Sequence, residues 1–463
     1  MDMLKLSLPV PITLILLFVF SVGLDFEYSV LSIKGSGEVL GQTSILIGDE
    51  LQKQYEVSVP IKLMDVLTLA LITLVISKRK TILSGINLSN KKDAWYRLLV
   101  AAGLYISWAM ISIIINAQYY SNPQIVVMTL HLIKLLQVIF AGLMLALLMR
   151  GFEFSVASSS LLIGLILVCV ILLTNRIGWI NIGAVAGDRM ETYGVMIIAI
   201  IIAFQAYQIE ASKAKLPLIK QCLYGGFVFL GTIAILSSGK RGVALAHLVC
   251  ITLLLTVGYI NRNMRIKMLQ YALIAGFVVS LPNVVHDFQR TTANHYDAVH
   301  GTIYREDIYN LYKIYIFNQK SLEQIRETKV PLISYLDYSG ADRIGKYIKT
   351  VSLIPENLWA GSGFWGVQYK YGFLPDTGLQ VLLETGLIGT VLLLLMFYWI
   401  WRGAQKSRCF RNGPAAAHVL VALVALVSLS VFCNPFYMSR LVMMWMSFAF
   451  LCVHPQLGES END

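Results

Sequence analysis

Apolar residues in this chain gather into runs long enough to cross a bilayer, separated mostly by short polar turns. The runs lie at approximately 7–24, 61–77, 96–117, 125–149, 155–174, 192–208, 221–237, 242–260, 266–285, 377–401, 414–433 and 437–453. A helix needs about 20 apolar residues to span the ~30 Å hydrocarbon layer, so the pattern predicts an all-α polytopic membrane protein of about twelve transmembrane helices. One connection breaks the rhythm. Residues 286–375 form a soluble-looking insertion between the ninth and tenth runs, far longer than the ~12–15 residues beyond which a loop needs a reason.

Helical spacing returns inside the insertion. Tyr304, Ile308, Leu311, Tyr312, Tyr315 and Ile316 predict an amphipathic helix over 303–318. Ser321 and Gln324 fit a capping box for a second helix that Pro331 ends. A third is expected from Asp342 to Leu353, closed by Pro355. The chain therefore divides into helices 1–9 over 1–285, a helical cap over 286–375, and helices 10–12 over 376–463. Residues 25–60 form an earlier loop of mixed charge whose role the pattern does not disclose.

Composition supports the membrane reading. Of 463 residues 57% are hydrophobic and 14% charged, against about 25% charged in soluble domains, and the mean hydropathy is +0.67. Basic residues orient the helices. Lys78, Arg79, Lys80, Lys91, Lys92, Arg97, Arg150, Lys213, Lys215, Lys220, Arg262, Arg265, Lys267, Arg402, Lys406, Arg408 and Arg411 all fall on one side. The short turns on the opposite side hold far fewer: Arg176, Arg189, Lys240, Arg241 and Arg440. The positive-inside rule then puts both termini in the cytoplasm and the 286–375 cap on the extracytoplasmic face. The net charge of +10 is thus a topology signal, scattered over turns, and it argues against nucleic-acid binding. Residues 1–24 carry Lys5 before an apolar core, but Val22-Gly23-Leu24-Asp25 is a poor cleavage site, so they read as an anchor. The six cysteines avoid the long loop and show no CxxC or metal-ligand spacing, so neither disulfides nor a metal is expected. No cofactor is expected either.

Several polar residues stand where membrane physics needs an explanation. Lys240 and Arg241 sit in Ser237-Ser238-Gly239-Lys240-Arg241-Gly242, a Gly-containing turn on the side that should lack cations. Backbone N–H groups and a forked guanidinium there suit a phosphate; the plainer reading is a pair snorkelling to headgroups. Arg189 precedes another span, and Arg305 and Arg343 lie in the cap, where a solvated arginine is common. Asp376, Gln380 and Glu384 follow at i, i+4 and i+8, lining one helix face from its outer end. Asp376 also suits a helix N-cap. Glu384 lies two turns deeper, where a carboxylate is costly unless it meets a partner or a polar cavity. Gly386 and Gly389 beyond it would let helices approach closely. Lys134, near the middle of the fourth span with His131 one turn before it, is an intramembrane cation, a candidate for a lipid phosphate or a carboxylate. His286, His295 and His300 have no diagnostic spacing.

Three of these segments together resemble the O-antigen ligase and polymerase family of bacterial polysaccharide assembly enzymes. Ser237–Gly242 is similar to that family's Ser-x-Arg-Gly turn. Arg343 through Pro355 to Gly361-Ser362-Gly363-Phe364 is similar to its arginine-led helix and Gly-x-Gly-Phe stretch. Asp376–Gly389 ends in Glu-x-Gly-Leu-Ile-Gly, and Arg189 with Gly194 is a weaker fourth match. The ligases carry a His-Asn or similar pair where this chain has Pro375-Asp376, which favours the polymerase branch. The resemblance implies an enzyme of the bacterial cytoplasmic (inner) membrane that joins undecaprenyl-diphosphate-linked oligosaccharides outside it, without nucleotide sugars. Membrane lipids, a chain-length regulator and a flippase are the further partners it suggests.

In that scheme Arg189, Arg241 and Arg343, with Arg305 in reserve, would stabilise the departing diphosphate. Asp376, or else Glu384, would take the proton of the attacking hydroxyl. Lys240, Lys134 and Gln380 would contact substrate. A ligase passing polymer to a lipid acceptor is the nearest rival. A flippase using Lys134 and Glu384, or a non-catalytic scaffold, are rivals of other classes. Arg241→Ala is expected to abolish polymer while leaving membrane insertion intact. Normal-length polymer from both Arg241→Ala and Arg343→Ala in a complementation assay would remove the diphosphate role.

Overall fold

The computed structural model describes residues 27–36, 54–62, 66, 68–69, 73, 94–151, 154–176, 190–213, 216–260, 267–292, 347, 349–371, 375, 377–406, 415–431, 433–434, 441–442 and 445–446. These residues are almost entirely helical. The exception is a hairpin over the first predicted loop, where β1 (Glu27–Ser36) pairs antiparallel with β2 (Gln54–Lys62), which runs two residues into the predicted span 61–77, and a register shift falls between Ser29 and Leu31.

The helices are α1 (Ala94–Asn116), α2 (Asn122–Gly151), α3 (Phe154–Arg176), α4 (Met190–Lys213), α5 (Leu218–Leu236), α6 (Arg241–Ile260) and α7 (Lys267–Thr292), then α8 (Val367–Tyr371), α9 (Leu379–Lys406) and α10 (Ala415–Ser430). Among the described residues six helices are long and apolar enough to cross a membrane, those of α1, α2, α4, α5, α7 and α9. Shorter apolar stretches lie in α3, α6 and α10. The chain is a helical membrane protein. The predicted spans 7–24 and 437–453 and the cap helices over 303–318 and 321–331 fall wholly or mostly outside the described residues. The third cap helix enters them at its end, where 349–353 are helical. Helix α7 continues to Thr292, past the predicted boundary at 285.

Helix α4 is the centre of the bundle. Its run of Ile and Ala leaves no polar stripe over most of its length, and a helix apolar on every face belongs in the interior. Accordingly 94% of the Glu191–Gln208 window is buried, against 28–44% for the other long spans. It packs on α3, α5, α6 and α10, while α9 lies chiefly along α1 and also meets α10. Small residues set the closest approaches. A Cβ on Gly276 of α7 would come within 2.9 Å of the Phe229 carbonyl oxygen on α5. The shared ends follow from contacts between antiparallel neighbours: Gly378 N–H donates to the Ser430 carbonyl at 2.7 Å, Gly194 packs on Leu429, and Asn283 donates to Ser237 Oγ at 2.9 Å. The turn bearing Lys240 therefore lies at the same end of the bundle as the segment leading into α9.

At the other end of α4, Lys220 of α5 meets Glu210 at 2.7 Å, with side chains 11% and 7% exposed. Removing one member of a buried pair strands the other and costs about 3–5 kcal/mol, whereas apolar replacement of both is often near neutral. Lys220→Met should therefore lower thermal stability in detergent more than the double exchange Lys220→Met with Glu210→Leu, as read by heat-step size-exclusion chromatography.

Candidate functional site

The sequence pattern predicts one unbroken helix through 377–401. The structure interrupts it at Gly386, whose φ of +67° and ψ of −170° are not helical. Only glycine fits there at low cost, and an added Cβ would overlap the Trp359 carbonyl. The backbone groups released by the break are taken up by the segment 358–366. Ser362 N–H donates to the Leu383 carbonyl at 2.9 Å and Gly363 N–H to the Glu384 carbonyl at 3.0 Å. Leu387 N–H donates to the Leu358 carbonyl at 2.7 Å. Gly361, at φ +72°, is pressed so close to Glu384 that a Cβ would overlap its carbonyl. The Gly-Ser-Gly stretch is thus a plug seated in a broken membrane helix.

Helix α1 holds the plug from the side. Trp108, Ser112, Asn116 and Tyr120 stand four residues apart, so the helical members share one ridge. Trp108 Nε1 donates to the Thr385 carbonyl at 2.8 Å, and Ser112 Oγ to the Ala360 carbonyl at 2.5 Å. Asn116 Nδ2 donates to the Gly361 carbonyl at 3.1 Å, and the Tyr120 hydroxyl to the Ser362 carbonyl. Burial, and then the Glu384 carboxyl, push the Tyr120 phenol pKa upward. A raised phenol pKa keeps the proton on, so Tyr120 remains a donor at neutral pH.

Glu384 is the hub. It is fully buried, and both carboxyl oxygens accept: Oε2 from Trp365 N–H at 2.7 Å, Oε1 from Gln380 Nε2 at 2.8 Å. Asn434 Nδ2 donates in turn to Gln380 Oε1 at 3.1 Å. Gln380 and Glu384 share the helix face that their i, i+4 spacing predicts, and the bond between them is an addition to that expectation. Trp365 adopts φ +62°, which costs a non-glycine residue roughly 1–2 kcal/mol. The hydrogen bond to Glu384 offsets it, and the indole stacks on the His131 ring with centroids 4.2 Å apart.

An apolar pocket lies farther along α9. A cavity of about 40 Å³ lies between α1, α2, α9, α10 and Val442, Trp445 and Met446, lined by Tyr105, Leu393, Met396 and Phe397 among others. Tyr105, buried on the same helix α1 one turn before Trp108, lines this pocket.

The other predicted residues divide into two groups. Lys240 and Arg241 are half-buried at the start of α6, at this same end of the bundle, with Lys240 N–H donating to Ser238 Oγ at 3.2 Å. Helix α10 packs on both α6 and α9. Lys134 is half-buried on α2, one turn beyond His131. Arg189, Arg305, Arg343 and Asp376 lie outside the described residues, as do His295 and His300. No group of three metal-binding side chains occurs among the described residues. Sequence reasoning missed the α1 ridge, Asn434 and the Trp365–His131 stack. The ridge did leave a signal, since 108, 112, 116 and 120 are hydrogen-bonding residues every fourth position at the end of an apolar run.

No protein-family model and no curated protein matches the chain.

Gly386→Ala should cost more than the roughly 1–2 kcal/mol of left-handed strain alone, because the carbonyl of Trp359 must also move. Glu384→Gln keeps the side chain's size but offers Trp365 N–H a weaker neutral acceptor; a charge-assisted bond is about twice as strong. Both variants should shift Trp fluorescence and speed amide exchange over 358–366. Wild-type exchange in that segment would show that the plug is held by something else.

Proposed function

We propose that the protein is a membrane glycosyltransferase that polymerises undecaprenyl-diphosphate-linked oligosaccharide units at the outer face of a bacterial cytoplasmic membrane. The observation that supports this reading is the sequence of environments along α9. A polar, hydrogen-bonded end carries the plug, and a wholly apolar pocket follows a few turns farther on. An amphiphile with a sugar diphosphate head and a long isoprenoid tail matches both.

In the proposed reaction a sugar hydroxyl of the incoming unit attacks the anomeric carbon of the growing chain. The new C–O bond forms as the bond to the polyprenyl diphosphate breaks, and the hydroxyl proton passes to a carboxylate. Arg241, with Arg189 and Arg343, would receive the diphosphate charge; fixed guanidinium groups do so without a metal. Asp376 is assigned the proton. Glu384 is assigned a positioning role, because both of its oxygens are already acceptors in a buried network. Gln380 serves that network, while Lys240, Arg305 and Lys134 remain candidates for the substrate's charged groups.

A flippase for the same lipid gains one specific observation, the broken helix, since transporters bind substrate at such breaks. In transporters, however, the freed backbone groups face the ligand. Here the chain's own 358–366 segment occupies them, which favours the enzyme.

Purified protein in proteoliposomes, given a lipid-linked repeat unit and no other protein, should build a polymer ladder. Asp376→Asn should slow it by about 10²–10⁴-fold, the usual worth of a general base. Movement of label across the bilayer without new glycosidic bonds would replace the polymerase with the transporter.

A further inference from the structure

Lys370 was not among the residues singled out by sequence, yet its ammonium is the most deliberately placed cation of the plug region. It lies 4.5 Å from the centroid of the Tyr119 ring and 5.3 Å from that of Tyr371. Asn357 Oδ1 accepts from it at 3.3 Å. Asn357 is itself fixed: it is 4% exposed and donates to the Leu353 carbonyl at 2.8 Å and to the Tyr371 hydroxyl at 2.7 Å. Its backbone carbonyl also accepts from Gly361 N–H at 3.0 Å, tying the cradle to the plug.

An ammonium has three N–H donors. One goes to Asn357, and among the described residues no carboxylate forms an ion pair with Lys370. Tyr119 is 57% exposed and is the last residue of the apolar span Tyr96–Tyr119. That is the depth at which aromatic rings meet lipid headgroups. A lysine that merely snorkels would keep its rotamer freedom in water. This one is held between two rings by a buried amide, with spare donors and no counter-charge among the described residues.

We infer that Lys370, with Tyr119, Tyr371 and Asn357, forms a phosphate-binding site at this end of the bundle. The ligand chemistry is an oxyanion at headgroup depth, taken either from a phospholipid headgroup or from the diphosphate of an isoprenoid carrier. The site needs no polymer synthesis, so it stands or falls separately from the polymerase reading.

The test uses full-length protein in maltoside detergent, which contains no phosphate. Farnesyl diphosphate is titrated in one arm, and retention of phosphatidylglycerol is scored by native mass spectrometry in the other. Lys370→Gln should weaken the affected probe about tenfold, the worth of one charged hydrogen bond, and Lys370→Arg should restore most of it. Tyr119→Leu, which keeps the charge but removes a ring, should weaken the same probe several-fold. Loss confined to farnesyl diphosphate identifies the carrier as the source, and loss confined to phosphatidylglycerol identifies the headgroup. Failure of both probes to bind wild-type protein, or equal binding by wild type and a Lys370→Gln variant with unchanged melting, overturns the site.

Discussion

A helix cannot be interrupted inside an apolar medium unless something replaces its lost hydrogen bonds, since each bare backbone group there costs several kcal/mol. The break at Gly386 meets that requirement with backbone from the same chain: N–H groups of Ser362 and Gly363 reach carbonyls on one side of it, and the Leu358 carbonyl reaches Leu387 N–H on the other. Much of this end of the bundle follows from that exchange. It requires glycine at 361 and 386, where a Cβ would overlap the facing backbone. It gives α1 its ridge of donors and gives Glu384 a reason to be buried.

The membrane architecture was legible because it depends on length and apolarity alone. Helices α1, α2, α4, α5, α7 and α9 coincide with predicted runs to within a few residues at most ends. The face shared by Gln380 and Glu384 was legible for a similar reason, four-residue spacing being a local property. The break was not. Residues 377–401 read as one apolar run, and what interrupts it is a docking partner some twenty residues earlier in the chain. Gly386 taken alone is equally compatible with close helix packing. Asn434 was invisible too, because it acts only after α10 returns antiparallel to α9 and brings it beside Gln380.

Helix α4 shows the opposite relation between pattern and place. Its run of Ile and Ala announces burial, and the structure puts it at the centre. The polar residues near its end then need partners from neighbouring helices. Gln205 finds the His418 Nδ1 at 2.6 Å, and Glu210 finds Lys220. Two polar regions therefore lie at different depths along the bundle, and only the one at Gly386 is built on glycines, a broken helix and a returning loop. The cost of that construction is hard to explain by stability, because an unbroken helix would satisfy its own backbone.

What the construction does accomplish is orientation. Asn434 holds Gln380, Gln380 holds Glu384, and Glu384 holds Trp365, so one face of the first turns of α9 is fixed in rotation by hydrogen bonds at successive levels. Pro375 and Thr377 are buried, and Gly378 is tied to Ser430. Residue 376 falls in sequence between Pro375 and Thr377, and the sequence pattern predicts for it the face of Gln380 and Glu384. A general base must be held within a fraction of an ångström of its proton's path, and a membrane helix left intact could rotate or tilt by more than that. A carboxylate whose oxygens both already accept hydrogen bonds, as those of Glu384 do, is a firm anchor. Under the proposed function, Glu384 fixes the face while the proton falls to Asp376, so the two acidic positions have different tasks.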